Sequence, residues 1–278
     1  MNNFLTPKEI AGAYDEISIN KAKNSTVNLI ILGMLAGVFI AFAGFASQVI
    51  SHSIENVGLA KFASGAVFPV GLMMVVIAGA ELFTGNNLMI IGYMEKKIDF
   101  YGLIRNWIIV YFSNFMGAVL FALLINFSGL LDTSGGLLGA TVIKAASSKV
   151  SIPFGQALVR GILCNIIVVV AVWMATAAKD IAGKILACWF PIMLFVVSGY
   201  EHSIANMYFI PAGIFAKANS AYIAAGQIQA EALNKLNVSG LFGNLIPVTL
   251  GNVIGGALVM GLSYWYVYKR GFRKAFDA

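Results

Sequence analysis

Glu201 and His202 stand side by side in the stretch Ser198–Asn206, with apolar runs at 185–197 and 207–216 on either side of it. A carboxylate and an imidazole therefore fall in the middle of what reads as a membrane span. Hydrocarbon penalises ionisable groups, so such a pair implies a function. His202 is the intramembrane group whose ordinary pKa lies near neutrality. Its ring can hydrogen-bond an anion where that anion loses water, or hand it a proton so that it crosses as a neutral acid. Packing as an ordinary core histidine is the plainer alternative. A related stretch, Gly79–Asn86, carries Glu81 and Thr84. Thr84 offers a hydroxyl to an anion opposite His202, and the same residue suits a helix cap. Asn165 and Asn252 can donate amide hydrogens near the span centres, or tie helices together. Glu81 and Glu201 would repel an anion if they faced it. They are expected to accept hydrogen bonds and fix the backbone around them, with Asn86 and Asn206 each five residues further on.

The elements that position these groups must be membrane spans. The 278 residues are 59% hydrophobic and 11% charged, against about 25% charged in soluble domains. Several runs exceed the roughly 18 apolar residues that mark a bilayer crossing. The net charge of +6 comes from residues flanking those runs. No basic cluster is interleaved with aromatics, so nucleic acid is not an expected partner. Cys164 and Cys188 show neither a disulfide framework nor metal spacing. With two histidines and no zinc-protease or serine-hydrolase motif, no enzyme, catalytic residue, metal or cofactor is expected.

Thr6, Pro7 and Glu9 predict the start of a surface amphipathic helix over Pro7–Asn24, with a solvated tail as the alternative. Six spans follow: Val27–Ile50, Lys61–Met94, Trp107–Leu131, Ala157–Ala178, Ile185–Lys217 and Leu241–Tyr268. Residues 1–26 thus form a cytoplasmic amphipathic segment, 27–268 one transmembrane domain, and 269–278 a basic cytoplasmic tail. Asp132–Pro153 reads as a polar connection. Lys and Arg gather on the side of the two termini, which predicts both in the cytoplasm.

The second and fifth spans are interrupted, and the halves 27–131 and 154–268 echo each other. Phe68-Pro69 matches Phe190-Pro191. The glycine two residues before Glu81 matches the one before Glu201, and Asn114 with Gly117 matches Asn252 with Gly255. Three spans per half is an odd number, so the halves insert in opposite orientations. Inverted repeats with broken helices are a signature of transport proteins, with the site where the breaks meet. Irregular backbone at that depth must be buried in protein or line a watery path. The expected fold is an all-α membrane protein, a six-helix 3+3 inverted repeat with helices 2 and 5 broken.

The stretches Gly79–Gly85, Gly199–Met207 and Pro247–Asn252, together with Trp173-Met174 and Tyr264-Trp265-Tyr266, resemble the formate/nitrite transporter family over residues 11–268. By overall likeness the chain looks most similar to its hydrosulfide channel branch. The resemblance implies an aquaporin-like fold, a homopentamer in the lipid bilayer of a bacterial inner membrane, and one pore per protomer for small monovalent anions. No Asn-Pro-Ala pair is present, so an aquaporin itself is not indicated. It further implies that Leu72, Leu82, Phe68 and Phe195 form two apolar constrictions about His202, which exclude hydrated ions. Residue type alone would place those four in the core. Lys149 matches a basic position that draws anions in; otherwise it reads as a solvated loop lysine. The resulting expectation is a channel for hydrosulfide first, then formate and nitrite, with a proton-coupled formate or nitrite transporter as the alternative.

Overall fold

The structure, a computed structural model, describes residues 3–270. Most of the expected basic tail lies outside that range. Helix α1 spans Pro7–Lys23 and begins in the expected capping box: Thr6 Oγ1 accepts from Glu9 N, and the Glu9 carboxylate accepts from Thr6 N. That arrangement satisfies two amides that a helix start leaves bare. Ser25 caps α2, Thr26–Ser51. The second span, α3, runs from Val57 to Gly79. After three extended residues the chain turns helical again over 83–94, denoted α4. Asp99 caps α5, Phe100–Phe127.

The second half repeats this order: α6 (Leu137–Val150), α7 (Phe154–Ala177), α8 (Ile181–Ser198), α9 (Ser203–Ala216) and α10 (Val238–Arg270). Among the described residues, six helices (α2, α3, α5, α7, α8 and α10) are long and apolar enough to cross a bilayer. The all-α, broken-helix 3+3 arrangement is present, and the repeat is richer than the spans alone. Helix α6 corrects the reading of Asp132–Pro153 as a simple connection. It buries Leu138, Val142, Ile143 and Ala146 along one face and packs on α9, as α1 packs on α4. Each half therefore contributes five corresponding helices, and two short ones, Ser220–Ala225 and Ala230–Leu233, are added in the second.

Within the halves α2 lies along α5 and α7 along α10. Glycine makes both approaches possible. A Cβ on Gly117 would collide with the Met34 carbonyl, and one on Gly251 with the Leu158 carbonyl. Small residues are what bring membrane helices this close. Large apolar side chains such as Phe112, Phe127 and Phe190 face outward, as a lipid-facing surface requires.

One sequence match does not carry into three dimensions. Phe68 is buried whereas Phe190 is exposed, because the Phe-Pro pairs sit at different distances from the glycines that end α3 and α8.

Candidate functional site

Both broken spans stop at a left-handed glycine, Gly79 at φ 89° and Gly199 at φ 74°. Residues with a Cβ rarely adopt that conformation, which ends a helix cleanly. The chain then runs extended through Leu82 and through His202, at nearly the same dihedrals (φ −108°, ψ 120° and φ −112°, ψ 118°). Those two residues precede α4 and α9. The N-termini of these half-helices meet inside the protein, and their positive ends suit an anion.

Two asparagines hold the breaks. Asn114 donates to the carbonyls of Gly33 and Glu81, at 2.8 Å each, and accepts from Phe83 N at 3.0 Å. Asn252 donates to the carbonyls of Gly161 and Glu201, at 2.8 and 3.1 Å, and accepts from Ser203 N at 2.9 Å. Asn165 faces the carbonyls of Thr84 and Asn252 and the side chain of Asn87, three acceptors for its two amide hydrogens. The amides of Asn165 and Asn252 thus bond to backbone and side-chain oxygens of the protein itself.

His202 joins the halves. Its Nδ1 accepts from Ala205 N at 3.1 Å, which caps α9, and its Nε2 lies 2.9 Å from Thr84 Oγ1. A nitrogen that accepts carries no proton, and a ring accepting at both nitrogens would be an imidazolate. The ring therefore carries its proton on Nε2 and donates to Thr84. Among the described residues no acceptor takes the Thr84 hydroxyl proton in turn.

Cavities trace a path past His202. A void of about 10 Å³ is lined by Leu72, Leu82, Phe68, Phe195 and His202, with Ile40, Val168 and Ile192 completing the wall. It holds about one water. Leu72 and Leu82 separate it from a vestibule of about 530 Å³ that contains Lys21 and Glu81. Phe68 and Phe195, edge to face at 5.5 Å, separate it from a second vestibule of about 270 Å³ that contains Lys149 and Glu201.

Each vestibule wall is backed by an equivalent four-residue network, three of its members lining the cavity and the fourth buried behind them. Lys21 Nζ bonds Glu81 at 2.8 Å. Asn86 bonds Glu81 at 2.6 Å and Asn106 at 2.8 Å, and Asn106 reaches back to the Lys21 carbonyl at 3.2 Å. Opposite, Lys149 Nζ bonds Glu201 at 3.0 Å. Asn206 bonds Glu201 at 2.6 Å and Asn244 at 2.7 Å, and Asn244 reaches the Lys149 carbonyl at 2.9 Å. The glutamates do line the vestibules, each neutralised by a lysine. Lys149 is neither a loop residue nor free. Lys21, Asn106 and Asn244 had no role in the sequence reading. One signal could have exposed the asparagines: Asn106 precedes Asn114 by eight residues, as Asn244 precedes Asn252. Helix α1 is built into this wall. Tyr14 stacks on Trp173 at 5.7 Å, and burial pushes its phenol up.

A sequence profile of the formate/nitrite transporter family matches residues 8–266. The chain belongs to the formate/nitrite transporter family. Relatives of this family member span nearly its whole length. It is 41% identical to a probable formate transporter of Methanothermobacter thermautotrophicus, over 96% of this chain and 98% of that one. It is 37% identical to the formate channel FocA of Escherichia coli K12, over 96% of each. A solved structure described as a pentameric formate channel with formate bound superposes with a TM-score of 0.79 at 33% identity, covering 87% of this chain and 97% of that one. This formate/nitrite transporter family protein is thus a multi-pass membrane protein, a channel or transporter for small anions rather than a catalyst.

The expected likeness to the hydrosulfide branch is corrected by these relatives, which are named for formate. The physical reason is that the residues carrying the resemblance set the backbone of the two breaks and their supports. Apolar rings, a histidine break and a glutamate–asparagine brace do not encode which anion, and overall likeness does not separate branches that share them.

Proposed function

We propose that the protein is a pentameric channel for formate, with one path per protomer and the His202–Thr84 pair at its centre. The observation that carries this reading is the chain Nε2–H···Oγ1–H, whose last proton has no acceptor among the described residues. An anion squeezed between Leu72/Leu82 and Phe68/Phe195 loses water where no charged group replaces it. Once the constriction opens, the Thr84 hydroxyl, buried behind His202 and polarised by its neutral imidazole, donates to the ion, and serial hydrogen bonds strengthen one another. The N-termini of α4 and α9 add positive potential. The void of about 10 Å³ is too small for a carboxylate, so the constriction side chains must swing for each passage. Lys21 and Lys149 draw anions to the vestibules while paired with glutamates. Asn165, Asn252, Asn114 and Asn206 act as braces for the breaks.

The pairing at Nδ1 also favours a channel over a proton-coupled carrier. A second proton on His202 would need the lone pair that Ala205 N–H uses. We further place both termini in the cytoplasm and treat helix α1 as part of the pore-forming unit, since Tyr14, Ile17 and Lys21 line its vestibule. The test is formate flux from proteoliposomes of purified protein, with nitrite and chloride as further arms and internal pH recorded. The expected result is rapid formate flux without fixed proton stoichiometry. Strict one-to-one proton coupling would replace the channel with a carrier, and absence of formate flux would sink the reading.

A further inference from the structure

The vestibule that contains Lys149 holds a donor that neither network uses. Gln48, in the last turns of α2, lines this cavity and is 4% exposed. Its Oε1 accepts from the Tyr208 hydroxyl at 3.0 Å, and its Nε2 has no partner. Turning the amide round does not help: the phenol proton and the amide oxygen would then both be orphaned, since Tyr208 is fully buried and has no other acceptor among the described residues. Tyr208 therefore fixes the amide with its N–H₂ end free. A buried donor left without an acceptor costs about 1–3 kcal/mol, so its retention calls for an occupant.

Apart from the hydroxyl of the half-buried Tyr200, the other side-chain donors on the same wall are engaged. Ser47, Ser51, Ser64 and Thr141 each donate a hydroxyl proton to a backbone carbonyl. Lys149 and Asn206 donate to Glu201. Asn206 Oδ1 is also unpartnered, but an acceptor does not attract an anion.

We propose that Gln48 is an anion-contacting residue of this vestibule. Its Nε2–H₂ hydrogen-bonds a small oxyanion such as a carboxylate that the Lys149 side has drawn in, before that ion reaches Phe68 and Phe195. The residue sets how strongly the ion is held at the mouth and shapes preference for oxygen-bearing anions over halides, because a directional N–H bond is aimed at an oxygen lone pair and a spherical halide offers no such direction. This rests on the channel reading above.

The experiment compares formate influx against concentration for wild type, Gln48→Leu and Tyr208→Phe in proteoliposomes, with melting temperatures for each. Gln48→Leu keeps the side-chain volume and removes the donor. Its half-saturating formate concentration is expected to rise roughly three- to tenfold, with a smaller effect on chloride. Tyr208→Phe lowers the melting temperature but keeps the donor, so its half-saturation moves less. An unchanged half-saturation in Gln48→Leu, or equal shifts in both variants, overturns the proposal while wild-type flux leaves the channel reading intact. A wild type that carries no formate overturns both.

Discussion

His202 Nε2 and Thr84 Oγ1 lie 2.9 Å apart, although 118 residues separate them in sequence. This bond joins the two inverted halves at the point where both helices break. Thr84→Val retains shape and removes the terminal donor of the chain. Hydrogen bonds to a charged group contribute about 1.5–3 kcal/mol, so formate flux should fall roughly ten- to a hundredfold. Thr84→Ser should retain most of it. Isotope uptake in proteoliposomes decides, and wild-type flux in the valine variant would remove Thr84 from the path.

Lys149 and Glu201 form a pair whose side chains are 18% and 5% exposed. Removing one partner leaves the other charge stranded. Lys149→Met should cost roughly 3 kcal/mol of stability, while the double variant with Glu201→Gln should cost clearly less than the two single costs added together. Melting in detergent for the four proteins gives the coupling. Strict additivity would mean that the two groups do not act as a pair.

The two vestibular networks match contact for contact, so equivalent substitutions should have equivalent costs. Asn106→Leu breaks bonds to Asn86 and to the Lys21 carbonyl; Asn244→Leu breaks bonds to Asn206 and to the Lys149 carbonyl. Each should lower stability by about 2 kcal/mol. Unequal effects, with one variant near wild type, would show that the symmetry of contacts is not a symmetry of energies.

Much of this was open to reading from the chain. Glu81 and Glu201, each preceded at the same distance by glycine and followed at the same distance by asparagine, announce two breaks in an inverted pair. Leu72, Leu82, Phe68 and Phe195 read as core by residue type, and they are buried around one small void. What stayed hidden depends on long-range pairing. Nothing local to Lys21 indicates a partner sixty residues away in Glu81. Helix α6 was masked by Gly135, Gly136 and two lysines, although Leu138, Val142 and Ala146 recur at helical spacing. The substrate branch lay beyond reach because residues that fix the backbone of the two breaks do not name the ion.

Two glycines on neighbouring helices should respond in opposite ways. Gly117 of α5 presses its bare Cα against the Met34 carbonyl of α2, and backbone cannot yield as a side chain does. Gly117→Ala must push α2 and α5 apart along the contact that positions Asn114, which in turn holds the break at Glu81 and Phe83. Overpacking of this kind costs about 1–3 kcal/mol and more where backbone is the obstacle. Loss of flux should accompany it, because the break loses its brace. Gly12 on α1 has nothing within 4 Å of its missing Cβ. Gly12→Ala there removes the entropic penalty of glycine in a helix, worth roughly 0.5–1 kcal/mol, and should raise or preserve the melting temperature with flux unchanged. A tolerated Gly117→Ala would show that α2 and α5 can separate without disturbing the path.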